Sequence, residues 1–159
     1  MRANAYVIAG QPDAAPFDPG PRSVHPVHHS EDDRLDHFIE RDGVRFAGIH
    51  LLIDVFGAKR LDDLDLMESA LREAVEAAGA TLLHIHLHHF TPNGGISGVA
   101  VLAESHISVH TWPERDYAAF DIFMCGDARP ELGAEVLREK LTPSRMEILE
   151  QKRGVFDDA

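Results

Sequence analysis

Between Thr81 and Phe90 apolar and imidazole side chains take turns, with Leu83, Ile85 and Leu87 on one parity and His84, His86 and His88 on the other. Side chains of an extended chain point alternately to two faces, so this segment predicts a strand whose faces meet different surroundings. A strand apolar on one side only belongs in a sheet that helices cover on that side. The neighbouring segments supply such a sheet and such helices. Val44 to Phe56 is an apolar strand-length run closed by Gly57. Asp62 or Asp63 caps a helix whose residues Leu64, Met67, Leu71, Ala74, Val75 and Ala78 recur at helical spacing before Gly79 stops it. After the break at Pro92 to Gly95, three further strands are predicted over Gly98 to Ala103, Ile107 to Trp112 and Ala118 to Met124. Pro130 opens a second helix with Leu132, Val136, Leu137 and Leu141 on one side, Pro143 ends it, and Met146 to Leu149 is a last strand. The reading is an α+β two-layer sandwich, an antiparallel or mixed sheet with both helices on one face. Strand faces bearing Val99, Val101, Phe120 and Ile122 lead us to expect a second chain against the other face.

Residues 1–43 read differently. Pro12, Pro16, Pro19, Pro21 and Pro26, with His25, His28, His29 and His37, stand without apolar periodicity, which predicts a mobile Pro/His-rich tail before a single domain at 44–159. Fifteen basic against 27 acidic residues give a net charge of −12 with no Lys/Arg-rich block, which argues against nucleic acid and anionic membranes as partners. No apolar run approaches the roughly 20 residues of a membrane span, and one cysteine gives no disulfide, so the cytoplasm is expected.

Several chemistries can be set aside on residue types. Asn93 to Gly98 lacks the lysine of a phosphate loop, and Lys59, Lys140 and Lys152 lie in charged or turn contexts unsuited to imine chemistry. His84, His86 and His88 share a face, but the outer two would stand roughly 13 Å apart, so one metal could take only two of them with ligands from elsewhere. A metal-binding module on this strand stays open as an alternative, although no metal site is assigned. The densest chemistry lies in Ala103 to Gly126, which holds Ser105, Ser108, His106, His110, several acids, Trp112 and Cys125. A Ser/His or Cys/His pair is conceivable there. Ser105 and His110 differ by an odd number, so on one flat strand they face oppositely and meet only if the chain turns at Ser105.

Leu102-Ala103-Glu104-Ser105-His106-Ile107-Ser108-Val109-His110-Thr111-Trp112-Pro113-Glu114 with Cys125-Gly126 resembles the prokaryotic, pyruvoyl-dependent S-adenosylmethionine decarboxylase proenzymes. The likeness extends through Phe90 to Gly98, the strand around His50-Leu51-Leu52, and Arg153-Gly154. The resemblance implies self-processing: Ser105 attacks the carbonyl of Glu104, an ester replaces the peptide bond, and elimination and hydrolysis leave a pyruvoyl group at position 105. That group would be the cofactor, binding the substrate amine as an imine without a lysine. By the same likeness His110 is the processing base, Ser97 assists it, and Cys125 is the proton donor of the decarboxylation. Phe90 stacks on adenine, Ile107 is an apolar neighbour of the base, Glu114 holds the ribose hydroxyls, and Asp54 falls where relatives carry an acid near the site. The implied activity converts S-adenosylmethionine to S-adenosylmethioninamine and CO2 for spermidine biosynthesis, in a homodimer of processed protomers. The same machinery acting on ornithine or arginine remains the alternative substrate reading.

Overall fold

The computed structural model describes residues 38–156. Seven strands, β1 (Ile39–Arg41), β2 (Val44–Phe56), β3 (Leu82–His89), β4 (Ile96–Leu102), β5 (Ser105–Trp112), β6 (Tyr117–Met124) and β7 (Arg145–Phe156), join two helices, α1 (Leu64–Ala77) and α2 (Pro130–Leu141). Every pairing is antiparallel, and the sequential pairs β1–β2, β3–β4, β4–β5 and β5–β6 are joined by the short links that favour it. The hydrogen-bonded path runs β1, β2, β6, β5, β4, β3, and β7 pairs with nearly the whole of β2. The chain is therefore the expected α+β sandwich, with α1 against β3 and β4 and α2 against β2 and β6.

The helices form where the sequence signals lie. The Asp63 side chain accepts the Leu66 N–H at 2.9 Å and caps α1. The helix stops with Ala80 N–H bonded to Val75 O and Gly79 N–H to Glu76 O, the paired closure of a Schellman motif. Met67, Leu71 and Ala74 from α1 and Leu137 and Leu141 from α2 bury against Ile49, Ile53, Ile107, Phe120 and Ile122 of the sheet. Fully burying each large side chain stabilises the fold by about 1.5–3 kcal/mol, so one parity of β2, β4, β5 and β6 is committed to this core.

Three features depart from the sequence reading. The end of the stretch read as a tail pairs with β2 as β1, through a two-residue turn in which Asp42 (φ 55) and Gly43 (φ 73) are both left-handed. That is the geometry an Asp-Gly hairpin turn favours. Residues 1–37, with His25, His28, His29 and His37, lie outside the described residues. A register shift between Leu82 and His84 leaves Leu83 61% exposed, and Leu82 packs against the core in its place. Phe120 and Ile122 belong to the core and not to the helix-free face, because the even positions of β6 point inward. Of the four residues expected to meet a second chain, only Val99 and Val101 share the helix-free parity of β4.

Candidate active site

The helix-free face is organised in rows that cross the strands. One row runs His88, Ser97, His110, Ala119 and Asp54 through β3, β4, β5, β6 and β2. Ser97 Oγ and His110 Nδ1 lie 2.9 Å apart, which fixes the imidazole over β4. At the same end of β5, a pocket of about 250 Å³ is lined by Phe90, Gly95, Ser97, His110, Trp112 and Glu114, among others. Its floor depends on a close approach of backbones: a Cβ on Gly95 would stand 2.8 Å from Thr111 O. Thr111 is itself locked in the core, accepting from Ile96 N–H and donating to Leu61 O, both at 2.8 Å. Glu114 is presented by a single 3-10 turn, Pro113–Arg115. Phe90 is 49% exposed, with its ring set edge-on to His88 at 4.5 Å. The pocket thus offers apolar ring faces, a hydroxyl–imidazole pair and an exposed carboxylate to one small molecule.

Asp54 sits in the same row, beyond Ala119, and accepts the Tyr117 hydroxyl at 2.5 Å. That bond, with burial, pushes the Tyr117 hydroxyl up to about 12, so it stays a donor. Trp112 stacks on Tyr117 at 5.2 Å and continues the aromatic wall of the pocket. From sequence neither Trp112 nor Tyr117 has a role of its own, since a lone aromatic on a strand reads as ordinary sheet packing. Ile107 is fully buried on the helix-covered face, with the opposite parity to His110, and its side chain is not among those that line the pocket.

Ser105 begins β5 at the other end of the strand. Leu102 and Ser105 are register partners, so Ala103 and Glu104 form a two-residue turn, and Glu104 takes φ 62. Non-glycine residues pay a strain of about 1–2 kcal/mol in that region. The strain sits on the residue whose carbonyl precedes Ser105. Cys125 N–H donates to Ser105 Oγ at 3.3 Å, and burial, with Glu104 nearby, pushes the Cys125 thiol above the usual thiol range. The turn anticipated at Ser105 is present, yet it does not bring Ser105 to His110. Five positions of extended chain separate them by roughly 17 Å, on opposite parities. The nine residues of interest therefore fall into two groups: Glu104, Ser105 and Cys125 at one end of β5, and Phe90, Ser97, His110, Glu114 and Asp54 towards the other, with Ile107 in the core. Among the described residues no three His, Cys, Asp or Glu side chains are placed to hold one metal ion, the histidines of β3 included.

The chain is similar to known proteins in sequence and fold. A family model described as S-adenosylmethionine decarboxylase matches residues 49–154. The chain is 44% identical over 116 residues to the S-adenosylmethionine decarboxylase proenzyme of Thermomicrobium roseum, covering 72% of this chain and 100% of that one. It is 45% identical over 114 residues to the S-adenosylmethionine decarboxylase proenzyme of Methanococcus maripaludis, covering 70% and 93% respectively. The crystal structure of the adenosylmethionine decarboxylase from Aquifex aeolicus superposes with a TM-score of 0.65 at 32% identity, over 70% of this chain and 94% of that one.

Proposed function

The chain belongs to the S-adenosylmethionine decarboxylase family, and from that premise we propose that it is a proenzyme that cuts itself between Glu104 and Ser105 and then works through a pyruvoyl group at 105. Its reaction is the decarboxylation of S-adenosylmethionine to S-adenosylmethioninamine and CO2, a step of spermidine biosynthesis. The observation that carries the processing reading is the strained turn: Glu104 at φ 62, followed by a serine whose Oγ is held by the Cys125 N–H.

Self-processing needs only the chain's own atoms. Ser105 Oγ attacks the Glu104 carbonyl carbon, the C–N bond breaks, and an ester forms while residue 105 gains a free amine. Leaving the left-handed turn relieves Glu104, which favours that step. A base then removes the Ser105 Cα proton, and the Cβ–Oγ bond breaks, with the oxygen departing on the Glu104 carboxylate. Water displaces the nitrogen as ammonia and leaves the pyruvoyl group. His110, oriented by Ser97, suits the role of base, but its own Ser105 is roughly 17 Å away along β5. A second copy that lays its helix-free face against the first supplies His110 to the partner's turn, so a homodimer of processed protomers is part of the proposal.

Once formed, the pyruvoyl group supplies an electrophilic carbonyl conjugated to an amide, which takes up the electron pair left as CO2 departs. The fit around position 105 supports this: a strand end free of lysine, beside a thiol kept protonated by burial. Cys125 is the acid available to return a proton to the decarboxylated carbon. At the other end of β5, Phe90 offers a ring face to adenine and Glu114 accepts the ribose hydroxyls. Asp54, which holds the Tyr117 hydroxyl, borders that end of the face. The net charge of −12 suits a sulfonium substrate.

Intact-mass spectrometry of the purified chain tests the reading. Two fragments meeting at Glu104 and residue 105, the second beginning with pyruvoyl, are expected; a stable single chain contradicts it. Assays of the cleaved protein with S-adenosylmethionine, ornithine and arginine are expected to show turnover of the first. Preference for a basic amino acid would overturn the assignment of Phe90 and Glu114.

A further inference from the structure

The helix-free face carries a second row that the proposed reaction does not use. His106 on β5, Phe123 on β6 and His50 on β2 are successive register partners. Their ring centroids lie 5.8 Å apart for His106 and Phe123, 5.9 Å for Phe123 and His50, and 6.2 Å for His50 and His106. The far member is fixed. Arg153 Nη1 lies 3.0 Å from His50 Nδ1, and because a guanidinium only donates, Nδ1 accepts and the ring proton sits on Nε2. Nε2 faces Asp121 Oδ1 at 3.3 Å, an approach too poorly aligned for a hydrogen bond, and Asp121 Oδ2 accepts the Ser108 hydroxyl at 2.9 Å. The row is thus braced on β7, β6 and β5, and its near end, His106, is the residue that follows Ser105.

We propose that His106 is a positioning residue whose ring, wedged against Phe123 and His50, holds the new chain end at position 105 in register with Cys125 after the Glu104–Ser105 bond is cut. The inference rests on the processing reading above. In the uncut chain residue 105 is held by the covalent turn, by its pairing with Leu102 and by the Cys125 N–H on its Oγ. Processing removes the turn, and the departing oxygen takes the hydrogen bond with it. The ladder between β5 and β6 begins at His106 and Phe123, so on the β6 side residue 105 becomes an end beyond the last pair, with only its β4 neighbour Leu102 opposite. Strand ends fray unless tied down, and misplacing a reacting group by about 1 Å costs on the order of 100-fold in rate. His106 is the first side chain able to tie this end. Burial, and then His50, hold its imidazole below the usual histidine range, which keeps it a neutral ring suited to packing on Phe123.

The test compares wild type, His106→Ala and His106→Phe, each first checked for cleavage by intact mass. For cleaved His106→Ala, kcat is expected to fall about tenfold or more with KM unchanged, since His106 is not among the side chains that line the pocket. Amide exchange over the first residues of β5 should accelerate, and His106→Phe should restore both values. Wild-type kcat and exchange in His106→Ala overturn the proposal, as does a loss confined to KM. Should His106→Ala stay uncut, Phe123→Leu withdraws the wedge and leaves residue 106 in place; faster exchange supports the inference and unchanged exchange overturns it. An uncut wild type is a different failure, because it removes the processing reading and this inference together.

Discussion

The two ends of β5 are built to opposite designs. The Trp112 end is a preformed pocket: Ser97 orients His110, Thr111 is locked into the core, and Gly95 lets the floor close up beneath Phe90 and Glu114. The Ser105 end is a strained turn against a half-buried thiol. One end is finished as synthesised, whereas the other is proposed to be finished only by breaking the chain. Binding can therefore be lost without touching cleavage, and cleavage without touching the pocket.

Ser105→Ala should break the contrast most completely. It removes the oxygen proposed to attack Glu104, so the chain should stay intact on a denaturing gel and turnover should fall to background. An adenosine nucleoside should still bind the pocket, as calorimetry would show. Cys125→Ser comes next. Cleavage should proceed, because the contact with Ser105 uses the backbone N–H, while kcat should fall by about 10²–10⁴, the usual worth of a positioned acid. With its thiol pushed up by burial and by Glu104, the wild-type enzyme should also keep its activity to a higher pH than an ordinary thiol acid allows. A pH–rate profile whose alkaline limb falls within the usual thiol range would contradict that.

At the pocket end the effects should be smaller and should appear in binding. Glu114→Gln gives up a charged acceptor for the ribose hydroxyls, and about 1.5–3 kcal/mol corresponds to a rise in KM of roughly 10–150-fold with cleavage unchanged. The smallest effect concerns stability. His106 is lowered in the folded state, so its contribution is present above the unfolded histidine pKa of about 6.5 and is lost as pH falls through the lower folded value. His50 and Asp121 face it from β2 and β6, while its β4 partner is the uncharged Val101. Thermal melts of Ser105→Ala, which stays one chain, should weaken below pH 6.5 more steeply than those of the double variant with His106→Phe.

Much of this was legible in the residues. Alternation in β3 and the spacing of Met67, Leu71 and Ala74 report a sheet with helices on one face because burial acts on parity and period alone. Asp42-Gly43 carried a hairpin signal, but Glu40, Arg41 and Arg45 around it give no apolar alternation to flag a strand. The bulge that turns Leu83 outward leaves no mark in composition. Ile107 shows what a motif leaves out: it names neighbours in sequence, while parity decides which face each one meets. The same parity argument put Ser105 and His110 on opposite faces of a flat strand, and the fold adds the distance: the turn stands at Glu104, and the two residues lie at opposite ends of β5.

That separation can be tested by mixing chains. Ser105→Ala keeps His110, and His110→Ala keeps Ser105; each alone should remain uncut. Co-refolded, they should form mixed dimers in which the intact His110 of one chain reaches the turn of the other, so that the His110→Ala chain alone appears as two fragments by mass spectrometry. Complete absence of cleavage in the mixture, with mixed dimers verified by native mass, would contradict a site assembled from the two ends of β5 in two chains.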